Sequence, residues 1–209
     1  MPNENISVPY GLVKTVEHYL GSVGILDLLD GFKERGVPLR HIVLAMCSRI
    51  LLGSNSMTRC ADWLADPNVG KELGIEKKLS QRTINRALSI IGDRSDEMVV
   101  RLWRGLDDRY RFQNTDVNID GSAVVFNGPR SELGARGYPR DFKDMSREQV
   151  EFMTVQLQQS RIPFFIRAYP GNTSDAVQYR DVMPDLFAML RQGSWMVMDN
   201  GGASGDILD

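Results

Sequence analysis

The feature that most restricts the fold is a change of hydrophobic period near residue 112. From Gly11 to about Arg111 the apolar residues recur at helical spacing, and from Asp116 onward β-forming residues lead. A chain ordered in that way separates into two regions, a helical one over residues 1–112 and a mixed one over residues 113–209.

In the first region Val13, Val16 and Leu20, then Ile25, Leu28 and Leu29, keep a helical repeat punctuated by Gly21, Gly24, Gly31 and Gly36. Pro38 suits the first turn of a helix through Leu39, Ile42, Val43, Met46 and Ile50, and Gly53 suits its end. A further helix holds Cys60, Trp63 and Leu64, closed by Asp66-Pro67, with Leu73 to Ile75 as a short connector. Ser80 is placed to cap a helix carrying Ile84, Leu88 and Ile91. A longer helix follows, with Met98, Val99, Leu102, Trp103 and Leu106 on one face.

In the second region Val117, Ile119 and Val124 to Phe126 make a first strand. The polar, glycine-containing stretch from Asn127 to Glu148 is unsuited to a core strand. Val150 to Leu157 and Ile162 to Tyr169 form a hairpin across the link Gln158 to Arg161, ended by Pro170-Gly171-Asn172. Ser174 is placed to cap a helix with Val177, Tyr179, Val182, Leu186, Phe187 and Leu190, kinked or restarted at Pro184. Trp195 to Met198 reads as a compact buried strand ending at Asp199, and Ser204 as another cap. Strand, hairpin, helix, strand predicts three antiparallel strands extended by a parallel one, because a parallel crossover needs the intervening helix.

Composition narrows the class of function. Hydrophobic residues at 42% and charged residues at 25% permit a buried core and exclude a mostly disordered chain. A formal net charge of −2 gives no overall attraction to nucleic acid, so any such role rests on grouped basic residues. Two cysteines, Cys47 and Cys60, in apolar helical surroundings suit buried thiols in a reducing compartment. With His18 and His41 they show no metal-finger spacing. No leader peptide is visible, and the longest apolar run, Ile42 to Leu52, is broken by Ser48 and Arg49. A cytoplasmic location is expected.

Two aspartates are candidates for chemistry. Asp120 follows Ile119 within the first strand, and Asp199 ends the last one. A carboxylate beside a buried strand needs compensation, and a hard cation supplies it. If the first and fourth strands are neighbours, the two converge although 79 positions (199 − 120) separate them. The plain alternative is turn chemistry, for which Asp199-Asn200-Gly201 is well suited. Two basic groups are candidates for binding. Lys77, Lys78, Arg82 and Arg86 surround the helix beginning at Ser80, which with the helix ending at Asp66 suggests a helix-turn-helix-like unit presenting Gln81, Arg82, Asn85 and Arg86 to a groove. Arg136, Arg140, Lys143 and Arg147 lie in the stretch after the first strand, interleaved with Asp141, Asp144 and Glu148. A solvated surface is the alternative for both.

Four segments carry a resemblance. Asn118-Ile119-Asp120-Gly121-Ser122 resembles the first catalytic strand of the insertion-sequence DDE transposases with a YREK signature. Gly134 to Asp141, which reads Gly-Ala-Arg-Gly-Tyr-Pro-Arg-Asp, resembles the Gly-Tyr-Ser-Lys/Arg-Asp segment that follows that strand. Arg161-Ile162-Pro163-Phe164 with Tyr169 to Asp175 resembles the family's hairpin and its Pro-Gly-Asn-x-x-Asp ending, and Val197 to Gly202 its second catalytic aspartate. The resemblance covers Asp116 to Asp209 well and the helical region loosely.

It implies an α+β protein: a helical N-terminal DNA-binding region followed by an incomplete RNase H-like α/β domain, with three antiparallel strands plus a parallel strand. It further implies metal-dependent cleavage and transfer of DNA strands, with Asp120 and Asp199 as catalytic residues and ligands of Mg²⁺ (or Mn²⁺). Lys77, Lys78, Gln81, Arg82, Asn85, Arg86, Arg136, Arg140 and Lys143 would bind DNA. The partners implied are the element's double-stranded terminal repeats and a second protomer, and the location is the nucleoid. The sequence departs from the family in having no Tyr-x-x-Arg-x-x-x-Glu segment, and Asn200 stands where a basic residue is usual. Glu132, Glu148 and Glu151 all precede Asp199. The expectation is therefore a transposase cut short of its third carboxylate and inactive alone. The alternative is a DNA-binding remnant that regulates or inhibits transposition.

Overall fold

The structure, a computed structural model, describes residues 10–33, 35–53, 56–75, 78–125, 131–137 and 146–199. Phe126, the Tyr138 to Asp141 part of the motif after the first strand, the turn at Asn200 and the Ser204 cap lie outside the described residues. The chain divides into two compact units, Met1–Tyr110 and Arg111–Asp209. Among the described residues there are eight helices and one four-stranded mixed sheet, an α+β arrangement. No helix among them is long and apolar enough to cross a membrane.

The first unit is helical throughout. Helices α1 (Tyr10–Ser22) and α2 (Ile25–Gly31) carry one apolar repeat, but the backbone breaks between them at Gly24, whose φ of 74° is left-handed and favours glycine. Helix α3 (Leu39–Leu51) is the core of the unit: Leu39, Ile42 and Ala45 are completely buried, and α1, α2, α4 and α6 pack around it. Burying each such large aliphatic side chain contributes about 1.5–3 kcal/mol. Pro38 stands one residue outside α3, as its cap with ψ 139°, rather than inside the first turn. Gly53, at φ 82°, ends the helix as expected.

One expectation needs correction between α3 and α6. Asp66-Pro67 does close helix α4 (Met57–Leu64), but it also opens a helix that the hydrophobic pattern does not predict. Asp66 Oδ1 accepts the backbone N–H groups of Asn68 at 2.8 Å and Val69 at 3.3 Å, with Pro67 at the first position of α5 (Pro67–Glu72). An Asp-Pro pair is as good a start signal as a stop signal. With α5 between them, α4 and α6 are not the two consecutive helices of a tight helix-turn-helix. Helix α6 (Gln81–Gly92) begins at Ser80, whose Oγ accepts the N–H of Thr83. Helix α7 (Ser95–Tyr110) buries Val99, Trp103 and Leu106, and Gly105 brings its backbone against that of Val23.

The second unit is built on strands β1 (Val117–Val125), β2 (Gln149–Leu157), β3 (Pro163–Pro170) and β4 (Met196–Val197), in the order β3-β2-β1-β4. β1 and β2 pair antiparallel from Val117↔Leu157 to Val125↔Gln149. The β2–β3 hairpin turns at Arg161, whose φ is 55°. Helix α8 (Asp175–Met189) then crosses back, so that β4 lies parallel beside β1. Ser174 occupies the cap position without a side-chain cap bond, and Pro184 sits on the exposed side of α8 without ending it.

α8 covers one face of this sheet. Arg167 of β3 reaches Asp181 at 3.2 Å and Asp185 at 2.7 Å, and the Tyr169 hydroxyl donates to Asp181 at 2.7 Å. Strand alternation puts Val117, Ile119, Met153 and Val155 on that same face, and all four are buried. The expected buried strand at Trp195 to Met198 is corrected: only Met196 and Val197 are paired, Trp195 is 75% exposed and Val197 is 49% exposed. Among the described residues β4 has a neighbour on one side only, β1.

Candidate functional site

The first candidate lies on α6. Successive helical residues turn by about 100°, so Gln81, Arg82, Asn85 and Arg86 share one arc. Ile84 and Ala87 point the other way, into the core. All four polar residues are exposed, and none has a side-chain hydrogen bond or ion pair among the described residues. Their situation differs from that of Arg40, bonded to Asp30 at 2.6 Å, and of Arg94, bonded to Glu97 at 2.8 Å. The helix contains no acidic residue, so two guanidinium groups and two amides stand together without an acidic partner among the described residues. Lys78 is exposed just before the helix. Lys77 lies outside the described residues.

The second candidate is in the sheet. β1 and β4 pair as Val117↔Met196 and Asn118↔Val197, an offset of 79 positions. Asp120 and Asp199 differ by the same 79 positions (199 − 120), so each lies two residues beyond the same paired couple. Asp120 lies within β1 but Asp199 lies two residues past the end of β4, and the Tyr179 that bonds it is buried on α8, the side from which Asp120 points away. Asp120 alternates away from the α8-covered face and is exposed; its backbone carbonyl accepts from Thr154 Oγ1 at 3.1 Å. Asp199 is exposed just past the end of β4, and its Oδ1 accepts the hydroxyl of Tyr179 at 3.0 Å. Among the described residues no three acidic, His or Cys side chains are grouped to hold a metal.

By sequence alone Tyr179 is no more than an apolar helix position. Its helical phase with Val182 and Leu186 does place it on the buried side of α8, where it is 1% exposed. A buried phenol needs a partner, and that requirement is the one signal that sequence offers; the identity of the partner comes from the crossover. Burial pushes the phenol above its usual range, and the bond to Asp199 and that residue's charge push it further. The hydroxyl therefore keeps its proton at ordinary pH and stays a donor.

The remaining candidates are dispersed. Arg136 is exposed beside Ala135, which bridges to Gln149. Arg140 and Lys143 lie outside the described residues. Glu151 is buried on β2 and accepts the Gln149 side-chain amide at 2.9 Å, the role of a core polar pair. Cys60 is buried, Cys47 half-buried, and burial raises both thiols, which makes them poor nucleophiles. His41 is half-buried, and burial lowers its basicity.

No protein-family model matches this chain, and no curated protein matches it. Among solved structures it overlaps the Mos1 transposase paired-end complex with left transposon end, at 14% identity and a TM-score of 0.33, over 85% of this chain and 58% of that one. It also overlaps a pre-cleavage Mos1 transpososome, at 15% identity and a TM-score of 0.32, over 99% of this chain and 66% of that one. The chain thus spans less than two thirds of either. Overlap at that level decides neither fold nor function.

Proposed function

We propose that this chain is a DDE-type insertion-sequence transposase, or a part of one, that binds element ends and contributes to metal-dependent strand cleavage and transfer. The observation that supports the proposal is the parallel pairing of β4 beside β1, which makes neighbours of the strand that carries Asp120 and the strand that Asp199 follows. Two carboxylates form an all-oxygen donor set. Mg²⁺ is commonly held by one or two carboxylates, keeps several waters and draws on substrate phosphates, so the donors suit Mg²⁺ or Mn²⁺. Asp120 and Asp199 would hold the ion, which when bound would activate the attacking oxygen and neutralise charge on the phosphate. The α6 face, without ion pairs among the described residues, supports the DNA partner. Its guanidinium groups are chemically suited to phosphates and guanine edges, and its amides to adenine edges. A second protomer belongs to the same proposal.

The second reading is a DNA-binding remnant that regulates transposition without cutting. One observation favours it: the α6 face belongs to the helical unit, a compact unit separate from the one that holds both aspartates. Binding through α6 therefore asks nothing of the carboxylates. One experiment separates the two. The full chain is incubated with duplex selected for binding from a random pool, in Mg²⁺ or Mn²⁺. Nicking that disappears in both Asp120→Asn and Asp199→Asn supports the enzyme. Tight binding without nicking supports the remnant. Absence of salt-sensitive duplex binding refutes both.

A further inference from the structure

We infer that the cavity lined by Trp195 in the second unit is a binding site for an unpaired nucleobase. The segment just before β1, residues 113–116, and the turn that leads into β4, residues 191–195, together line a cavity of about 330 Å³. The two segments are fastened to each other. The Trp195 N–H donates to Asp116 Oδ1 at 2.7 Å, and the Trp195 carbonyl accepts the Val117 N–H at 2.8 Å. Asn114 Nδ2 donates to Asp116 Oδ2 at 2.8 Å, and the Arg191 N–H donates to Thr115 Oγ1 at 3.1 Å. Thr115 is 2% exposed and shares a further hydrogen bond with the Ser194 hydroxyl. Gly193, at φ 87°, makes the turn between α8 and β4. The walls are therefore held in place before a ligand arrives, which lowers the cost of binding one.

The lining suits a base. Trp195 stands 75% exposed on this fixed backbone, whereas Trp63 and Trp103 are buried at 7% and 6%. An indole is a stacking platform, and every nucleobase has a π face to lay on it. Gln113 and Gln192, one from each segment, are exposed and have no side-chain hydrogen bond among the described residues. An amide offers both donors and an acceptor, the combination that base edges match. Both carboxylate oxygens of Asp116 already accept protein donors, so the ligand meets amides and not a bare carboxylate. Arg191, exposed on the same cavity, is suited to the phosphate attached to the base. The volume lies at the lower end of the range of about 300–1,000 Å³ for small-ligand sites. That fits a single ring system and not a helix about 10–12 Å across. The site uses neither α6 nor the two aspartates, so it stands or falls independently of them.

The test titrates the full chain with single-stranded oligothymidylate and reads tryptophan fluorescence. Trp195 is the exposed one of three tryptophans, so stacking on it should quench the exposed emission. Affinity is read separately, from the anisotropy of a labelled oligothymidylate. Stacking on an aromatic side chain is worth a factor of about 5 to 150 per base, and Trp195→Ala should weaken binding by that much. Trp195→Phe, which keeps a ring, should recover part of the loss, and Gln113→Ala with Gln192→Ala should weaken binding as well. Arg82→Ala with Arg86→Ala should leave the quenching intact, which separates this site from duplex recognition by α6. Thymidine monophosphate distinguishes the source of the base. Quenching by the mononucleotide as strong as by the oligonucleotide assigns the site to free nucleotides, and quenching by the oligonucleotide alone assigns it to a base within a strand; both uphold the inference. Absent quenching, or an unchanged affinity in Trp195→Ala, overturns it. An equal loss of duplex and single-strand binding in Trp195→Ala also overturns it, because the indole would then meet paired DNA. Conversion of a dimer to a monomer in Trp195→Ala, with oligothymidylate binding intact, overturns it in favour of a contact between copies of the chain.

Discussion

Replacing both Arg82 and Arg86 with alanine should alter how duplex binding depends on salt, and the size of the change follows from the geometry. Both side chains are exposed on one face of α6, without a partner among the described residues and without an acidic residue on the helix. Each guanidinium that meets a phosphate releases counterions, which adds about 0.9 to the slope of log K against log salt. Removing two such guanidinium groups should therefore reduce the slope by about 1.8. Between about 50 and 200 mM salt, a fourfold change, the disadvantage of the double variant should shrink by about 4 to the power 1.8, or roughly twelvefold. Fluorescence anisotropy of a labelled duplex at several KCl concentrations measures this directly. Gln81→Ala with Asn85→Ala is the control, because neutral amides release few counterions. That pair should keep the slope and instead weaken discrimination between sequences, by about 1–3 kcal/mol for each bidentate amide–base pairing removed. Because the whole chain has a formal charge of −2, a general basic attraction cannot mask the effect. An unchanged slope in a folded Arg82→Ala/Arg86→Ala variant would refute the assignment of α6 to DNA.

Two further outcomes follow from the packing and from the buried phenols. Glycine-to-alanine replacement should have opposite signs at two helical sites: Gly11→Ala meets nothing within 4 Å and should gain up to about 1 kcal/mol of helix propensity, whereas Gly105→Ala drives a methyl into the Val23 backbone and should destabilise by about 1–3 kcal/mol, both read by urea denaturation. Burial raises the phenols of Tyr169 and Tyr179 in the folded state, so the stability they contribute is complete below the unfolded value of about 10 and is lost as pH rises beyond it; the urea midpoint should fall from about pH 9 to pH 11, less steeply in Tyr169→Phe, and an identical slope in that variant would count against the buried-phenol explanation.

The sequence by itself determined the elements and their order, α5 excepted. Hydrophobic period separated a helical region from a strand-led one, because burial on one face imposes a spacing of 3.6 or 2 that is written locally. Ser80 as a cap and Gly53 in a left-handed turn were legible for the same reason: each acts on backbone groups within a few residues. The neighbourhood of β1 and β4 followed from connection rules, since a strand after a crossover helix has few places to go. Local signals also misled where two outcomes share one chemistry. Asp66-Pro67 starts a helix as readily as it ends one, and the apolar run at Trp195 is largely exposed because no local feature says which of its residues will be covered. Only the tertiary structure decided the register of β4 against β1, and only it brought the Tyr179 hydroxyl to the Asp199 carboxylate. Register and side-chain partnership depend on how distant segments dock, and that is fixed by the closure of the whole core, not by the residues on either side of each aspartate.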